Sequence, residues 1–229
     1  MTKLRVAVLI SGRGSNMMAL IDAARHPDFA AEIVLVVSNA SDAVGIARAA
    51  AAGVPTKTID HHAFGKGAAG RRAFEEALTG ALQDARAELV CLAGFMRLLS
   101  ADFASAWRGR LVNIHPSLLP AFKGLDVHAA MLAAGVRIAG CTVHFVSADM
   151  DAGPIIGQAA VPVLADDTAE TLAARILAEE HRLYPECLRR IAAGDIRLRQ
   201  DDRVEVRGAA ASGALLNPAP LRSPRRTAS

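Results

Sequence analysis

An asparagine and a histidine two positions apart could together stabilise a negatively charged oxygen. Asn113 and His115 close an apolar run, and Pro116 ends the strand that this run predicts. Because side chains alternate along a strand, the two residues face the same side of it. A neutral amide donor beside an ionisable ring is suited to hold an oxyanion. A capping or packing role for His115 is the competing interpretation.

Two acidic residues in a later loop could supply the charge that such a histidine needs. Asp149 and Asp151 lie within residues 147–154, between two predicted strands. A carboxylate beside His115 would stabilise its imidazolium form. Acidic residues in loops also cap turns or stay in water, and that alternative remains open.

A glycine-rich turn near the N-terminus predicts an anion site. Residues 11–16 read SGRGSN and lie between a predicted strand and a predicted helix. Glycines allow close backbone approach, and the amides at a helix N-terminus attract anions. A dinucleotide fingerprint would need a glycine at Met17 and an acid where Ser38 and Asn39 stand, so a nicotinamide cofactor is disfavoured. We expect a single phosphate to bind at Gly14, Ser15 and Asn16. A tight turn with a capping residue is the alternative.

One carboxylate interrupts the apolar face of the longest predicted helix. Glu180 falls on the same stripe as Leu172, Ile176, Leu183 and Cys187. A carboxylate on a buried face requires a partner or a ligand. We therefore expect Glu180 to be a binding residue, unless the helix ends at a rim where the carboxylate reaches water.

The elements that position these residues alternate between strands and helices. Apolar runs predict strands at residues 4–10, 33–38, 54–59, 89–92 and 110–114, and helical patterns lie at residues 15–25, 43–52 and 71–85. Continuous apolar strands separated by helices are typical of a parallel sheet covered on both faces. The sequence therefore predicts an α/β protein with a doubly wound, mostly parallel sheet joined by right-handed crossovers.

The pattern changes after Pro116. Long strands are predicted at residues 137–146 and 154–163, a long helix at 168–191, and short polar strands near 196–199 and 203–206. Two strands joined by a short loop indicate an antiparallel portion. We expect a single domain over residues 1–206 and, on composition, a disordered basic tail at residues 207–229.

Composition and charge argue against several classes of protein. The chain has 229 residues, 52% of them hydrophobic, which is too apolar for a disordered chain. Residues 207–229 hold four arginines and no acid, which leaves a net charge of −1 on the rest, so no nucleic-acid partner is expected. No apolar run reaches the roughly 18 residues of a membrane span. Three distant cysteines without metal-binding spacing fit a reduced, cytoplasmic protein without structural zinc.

Several separated motifs resemble the glycinamide ribonucleotide formyltransferases, a family of folate-dependent enzymes of purine biosynthesis. They are SGRGSN, AGFMRLLS, NIHPSLLP, HFV with DAGPII, and EEHRLYP, in that order over about residues 4–200. The resemblance implies a Rossmann-like formyltransferase fold and transfer of a formyl group from 10-formyltetrahydrofolate to the amino group of glycinamide ribonucleotide. It implies a phosphate-binding half at about residues 1–100 and a folate-binding and catalytic half at about residues 101–206. Small-molecule substrates, no metal, and a monomer or homodimer are expected.

The same resemblance implies roles for individual residues. The catalytic trio matches Asn113, His115 and Asp151. The substrate phosphate would be bound by Gly14, Ser15 and Asn16, and other polar groups of the substrate by Glu180. The folate would be bound by Arg72, Met96, Arg97, Leu98, Leu99 and Asn113.

The chain departs from the family pattern in three places, and two other interpretations remain. Arg13 adds a positive charge to the phosphate loop, Ala152 stands where glycine is expected, and residues 122–126 read FKGLD in place of YPGLH. A related formyl-folate enzyme, such as a deformylase or a transfer-RNA formyltransferase, would be expected to carry a further domain. A non-catalytic phosphosugar-binding module would leave His115, Asp151 and Glu180 unexplained.

Overall fold

Seven strands form one sheet in the computed structural model, which describes residues 2–208. The strands are β1 (Leu4–Ile10), β2 (Ala31–Ser38), β3 (Thr56–Thr58), β4 (Leu89–Leu92), β5 (Leu111–His115), β6 (Ile138–Phe145) and β7 (Ile155–Pro162). Their order across the sheet is β3-β2-β1-β4-β5-β6-β7. β1 to β5 pair in parallel, whereas β6 is antiparallel to both β5 and β7. A separate antiparallel pair is formed by β8 (Ile196–Leu198) and β9 (Val204–Val206).

Helices connect the strands and cover the sheet. They are α1 (Ser15–Ala24), α2 (Val44–Ala51), α3 (Gly67–Asp84), α4 (Ala101–Ala106), α5 (Val127–Ala133) and α6 (Ala169–Ala192), and a short 3-10 helix spans His61–Phe64. α6 begins with a capping box in which the hydroxyls of Thr168 and Thr171 each accept the other residue's N–H. It continues through Pro185, which agrees with the helix predicted at residues 168–191.

The two faces of the sheet belong to different cores. Val6 and Val8 on β1 pack with residues of α1 and α6, whereas Ala7 and Leu9 pack with residues of α3 and α4. This alternation is what a parallel strand buried on both faces requires. A third cluster joins β6, β7, α5 and α6.

The strand order changes direction between β1 and β4, and this point is where doubly wound sheets bind ligands. β1 lies between β2 and β4, so the connection after β1 turns to one side of the sheet and the connection after β4 to the other. The loops that leave the two strands therefore flank a crevice at the carboxyl edge. The sheet thus brings residues 11–16 and residues 93–100 to the same place.

The predicted α/β fold is confirmed, with local differences that have physical reasons. β3 is shorter than predicted, and α3 begins at Gly67, four residues before the predicted start. α5 was not predicted, because its first turn follows Asp126 in a left-handed conformation without a side-chain cap. Its stability comes from tertiary packing, since Val127 and Met131 are buried in the third cluster.

The chain end expected to be a tail lies almost entirely outside the described residues. Only Arg207 and Gly208 of residues 207–229 belong to the described part. The Arg207 N–H donates to the carbonyl of Asp195 over 2.8 Å, and its carbonyl accepts from Arg190. Arg207 is therefore attached to the folded body. Over residues 2–208, no helix has the length and apolar character needed to cross a membrane.

Candidate active site

The turn after β1 is built on close contact between two backbones. Gly14 has φ 68°, and a Cβ there would lie 2.9 Å from Cε of Met17 and 3.3 Å from Cα of Gly45. Gly45, in the first turn of α2, donates its N–H to the carbonyl of Gly12 over 3.0 Å. Glycine is therefore needed at both contact positions. The first amides of α1 have no backbone partner within residues 2–208, as expected where a helix can bind an anion.

One arginine lies in this phosphate loop (residues 11–16) and another lies beside it. Arg48 on α2 donates to the carbonyl of Arg13 over 2.9 Å and so fixes the loop from α2. The side chain of Arg13 is exposed and makes no ion pair with any described residue. The loop therefore carries positive charge at the place where the sequence predicts a phosphate.

A buried hydrogen bond joins the phosphate loop to α6. Nδ2 of Asn16 donates to Oε2 of Glu180 over 2.7 Å, and the two residues are 8% and 5% exposed. Burial raises the pKa of the Glu180 carboxyl, while the bond from Asn16 and the charge of His115 act against this shift. Oδ1 of Asn16 is buried and has no hydrogen-bond partner among residues 2–208. An unpaired acceptor beside a buried carboxylate is typical of a site that a polar ligand completes.

Asn113 and His115 lie on β5, and a histidine on β6 orients the first of them. Asn113 is opposite His144 in the antiparallel pairing. Nδ1 of His144 lies 2.9 Å from the Phe145 carbonyl and donates to it, so Nε2 accepts from Nδ2 of Asn113 at 3.3 Å. Burial lowers the pKa of His144, which favours this neutral form. His144 thereby fixes which end of the Asn113 amide donates.

Asp151 lies between two buried histidines. Its Oδ2 is 3.4 Å from Nδ1 of His115, and its Oδ1 is 3.8 Å from Nε2 of His144. The Gly124 N–H donates to Oδ2 over 3.0 Å. The other ring nitrogen of His115, Nε2, lies 2.8 Å from the carbonyl of Phe122. The predicted contact between Asp151 and His115 is therefore present in the geometry.

Hydroxyl groups hold the loop that follows β5. Oγ of Ser117 donates to the carbonyls of Ala121 and Phe122, at 2.7 and 3.0 Å. Oγ1 of Thr142 donates to the Ser117 carbonyl over 2.7 Å and accepts the Leu119 N–H over 3.0 Å. These bonds fix the Phe122 carbonyl opposite His115.

The loop that carries Asp151 passes against the end of β6. A Cβ on Gly153 would lie 1.8 Å from the carbonyl oxygen of Phe145, so only glycine fits there. Asp151 itself has φ 49°, a conformation that aspartate tolerates better than most residues. The backbone of this loop therefore approaches β6 most closely at Gly153. Position 152, where glycine was expected, accommodates alanine.

The residues expected to bind folate point in different directions. Met96 and Leu98 are 70% and 60% exposed in the loop after β4. Leu99 is half-buried and packs against the core under α3. The guanidinium of Arg97 lies over the ring of Phe74, 4.9 Å from its centroid, so this side chain is occupied by α3. Met96 and Leu98 are therefore the apolar side chains free to contact a ligand.

Arg72, the remaining residue expected to bind folate, lies on α3. Arg72 is exposed on α3 and lines a cavity of about 600 Å³ between α3 and α4, together with Glu75, Ser100 and Trp107. None of Asn113, His115 and Asp151 lines this cavity. Its assignment to the folate site remains a prediction.

Two features of the site escape prediction from the sequence, namely His144 and the carbonyl of Phe122. His144 stands in an otherwise apolar strand, and a polar ring buried there needs a partner. The need of a buried His144 ring for a hydrogen-bond partner could be inferred from the sequence, but the identity of that partner could not. The Phe122 carbonyl has no sequence signal, because any residue supplies one.

A group of potential metal ligands lies at the 3-10 helix. The ligand atoms of Asp60, His61 and His62 are within 4.8 Å of one another. Oδ1 of Asp60 accepts the His62 N–H over 2.9 Å, and Nδ1 of His61 lies 2.7 Å from the Asn39 carbonyl. These bonds account for the group as a helix cap tied to the loop after β2.

The structure combines a mostly parallel α/β sheet with the phosphate loop and a cluster of Asn113, His115 and Asp151. The sequence model of the formyl transferase family matches residues 4–188. The chain therefore belongs to the formyl transferase family.

Within that family the chain is similar to phosphoribosylglycinamide formyltransferases. It is 40% identical to the Escherichia coli enzyme of that name over 198 residues, covering 86% of this chain and 92% of that protein. The crystal structure of glycinamide ribonucleotide transformylase 1 from Symbiobacterium toebii superposes with a TM-score of 0.84 at 48% identity, covering 89% of this chain and 94% of that one. The trifunctional purine biosynthetic protein adenosine-3 of Bos taurus is 49% identical over 88% of this chain, but the chain spans only 20% of its length.

Proposed function

We propose that this chain transfers the formyl group of 10-formyltetrahydrofolate to the amino group of glycinamide ribonucleotide, a step of purine biosynthesis. One observation carries the proposal: the Asn–His–Asp cluster and the phosphate loop share a single site. Glu180 on α6 accepts a hydrogen bond from Asn16 of the loop, and the charge of His115 acts to lower the pKa of the same carboxyl, so α6 lies next to both parts. The similarity to phosphoribosylglycinamide formyltransferases supports the choice of substrates.

The reaction moves one proton and exchanges one carbon–nitrogen bond. The neutral amine attacks the formyl carbon, which forms the new C–N bond and places negative charge on the formyl oxygen. Collapse of this tetrahedral intermediate breaks the bond between the formyl carbon and N10 of the folate. The amine nitrogen loses a proton and N10 gains one, so no oxidant or metal is consumed.

The second proton of the Asn113 amide and the ring of His115 supply the donors for the formyl oxygen. His144 accepts the first amide proton, which leaves the second directed away from β6. In the structure Nε2 of His115 is bonded to the Phe122 carbonyl. The oxyanion replaces that carbonyl as the acceptor, and removal of such a donor costs on the order of 10²–10³ in rate.

Asp151 balances the charge of the imidazolium and transfers the amine proton, directly or through one water. Its Oδ2 is close to His115 and is held by the Gly124 N–H. A carboxylate fixed by a backbone donor keeps its orientation while its partner changes. The role of Asp151 therefore depends on the loop after β5 as well as on its own loop.

Substrate binding is divided along the carboxyl edge of the sheet. The phosphate is bound by the amides at Gly14, Ser15 and Asn16. The substrate's polar groups bind Glu180 and also donate to Oδ1 of Asn16, which is buried without a partner among the described residues. The folate lies along Met96 to Leu99, beside Asn113. We further propose one domain over residues 1–206, a cytoplasmic location, and a monomer or homodimer.

A formyl-transfer assay tests the proposal. Release of tetrahydrofolate is followed with glycinamide ribonucleotide present and absent, and the formylated amine is identified by mass spectrometry. Release that requires the amine, with the formylated product, supports the transferase. Release without the amine would make the protein a deformylase. Binding of glycinamide ribonucleotide with no release in either case would make it a phosphosugar-binding module.

A further inference from the structure

The loop after β4 is bonded directly to the start of the phosphate loop. The Met96 N–H donates to Oγ of Ser11 over 2.7 Å, and the Ser11 N–H donates to the Gly94 carbonyl over 3.1 Å. These bonds cross the crevice between β1 and β4. They join the segment that carries Met96 and Leu98 to the segment that carries the phosphate amides.

The direction of the hydrogen bonds is fixed. Because Oγ of Ser11 accepts from Met96, its own proton is free to donate, and it does so to Oδ1 of Asn39 over 2.5 Å. The hydroxyl is thus both acceptor and donor, and both of its partners depend on it. Alanine at this position would remove both bonds at once.

Asn39 is itself held by its neighbours. It is 2% exposed, and its N–H lies 3.4 Å from the Ile10 carbonyl. Its own carbonyl accepts from Nδ1 of His61 at 2.7 Å. Ser11, Asn39 and His61 therefore form one hydrogen-bonded row along the carboxyl edge. Each of them lies in the segment that follows one strand, β1, β2 and β3 respectively.

The other end of the same loop repeats the arrangement. The Phe103 N–H donates to Oγ of Ser100, which donates to Oε2 of Glu75 over 2.5 Å, and the Ser100 N–H donates to Oε1 over 2.6 Å. Glu75 is 7% exposed. Residues 94–100 are thus held at both ends by a serine that links a backbone N–H to a buried side chain.

We infer that Ser11 and Asn39 are positioning residues for the formyl-folate co-substrate, acting through the main chain of Met96. The inference rests on the proposed function, since it assigns residues 96–99 to the folate. Neither residue is expected to touch the reacting atoms. Their contribution is to hold the wall formed by Met96 and Leu98 in the position that binds the folate, so that this loop need not be ordered when the folate binds.

The test compares KM for the two substrates in Ser11→Ala and in Ser11→Thr, which keeps a hydroxyl. Two neutral hydrogen bonds predict that Ser11→Ala raises KM for 10-formyltetrahydrofolate about fivefold to tenfold. KM for glycinamide ribonucleotide and kcat should change by about twofold or less. In Ser11→Thr, KM for 10-formyltetrahydrofolate should stay close to the wild-type value. The matched control is Ser105→Ala, because Ser105 is exposed on α4 and its hydroxyl has no partner within residues 2–208.

A second measurement does not depend on a folded variant. In the wild-type protein the Met96 amide should exchange with solvent more slowly than the Leu98 amide, which has no partner among the described residues, although both side chains are exposed. Equal exchange of the two amides, or equal changes of both KM values in Ser11→Ala, would overturn the inference. Absence of formyl transfer by the wild-type protein would instead overturn the proposed function. The exchange rates of the two amides do not depend on that activity, so the two failures can be distinguished.

Discussion

The two sides of the candidate site are built by opposite means. The phosphate side uses contiguous backbone, and its decisive feature is the contact of Gly14 with Gly45. The catalytic side uses buried side chains from β5, β6 and two loops, and its decisive features are the contact of Asp151 with His115 and the hydrogen bond from Asn113 to His144. The first needs small residues at a turn, whereas the second needs distant segments brought into register.

This difference determines how each side tolerates change. A phosphate held by several amides loses little when one side chain is altered, since the helix start itself supplies the donors. An oxyanion held by two side-chain donors loses a large part of its stabilisation when either is removed. We therefore expect substitutions on the catalytic side to act mainly on kcat and those on the phosphate side mainly on KM.

The largest effect is expected for His115→Ala. The substitution removes the ring that faces both Asp151 and the developing oxyanion, so kcat should fall by about 10²–10⁴. Binding of glycinamide ribonucleotide, measured by calorimetry, should stay within about threefold, because the phosphate loop is intact. His26→Ala is the matched control, since His26 is an exposed histidine beyond the end of α1. A kcat near that of the control would contradict the role given to His115.

A second effect distinguishes the loop of Asp151 from the chemistry of its carboxylate. In Gly153→Ala the new Cβ meets the Phe145 carbonyl, so the loop must shift and Asp151 with it. We expect kcat to fall about tenfold or more and the free energy of unfolding to fall by about 1–3 kcal/mol. Gly80→Ala is the control, because a Cβ there meets nothing within 4 Å in the interior of α3. Gly80→Ala should raise the free energy of unfolding by up to about 1 kcal/mol with kcat unchanged. The same two results for Gly153→Ala would contradict the expected clash with the Phe145 carbonyl.

The same difference explains what could be predicted from the sequence. The turn at residues 11–16 is one continuous stretch, so glycine spacing and the following helix were enough to predict its conformation, while phosphate binding there stays a prediction. Asn113 and His115 were predicted because they are two positions apart on one strand. His144 was not, because its place depends on the antiparallel register that sets it opposite Asn113. The Phe122 carbonyl depends on bonds from Ser117, which no local pattern indicates.

A smaller effect is expected for Glu180→Gln, which keeps the shape but removes the charge. Because burial raises the pKa of Glu180, its stabilising contribution is present below the ordinary value of about 4.5 and is lost as the pH rises through the raised value. The variant should therefore gain in Tm relative to wild type as the pH increases from about 4 to 8. KM for glycinamide ribonucleotide should rise about tenfold. A constant difference in Tm across that range would mean that Glu180 carries no burial penalty.

The smallest effect is expected at the boundary between the two sides. The Tyr184 hydroxyl on α6 lies 3.1 Å from the carbonyls of both Leu92 and Val112, so it ties β4 to β5. Tyr184→Phe removes one donor shared by two acceptors that already belong to the sheet, and should lower the free energy of unfolding by about 1 kcal/mol, or Tm by about 2–4 °C. Because β5 keeps its pairing with β6, kcat should stay within about twofold. A kcat loss larger than the loss in stability would show that the chemistry depends on this tie, and that the two sides are not independent.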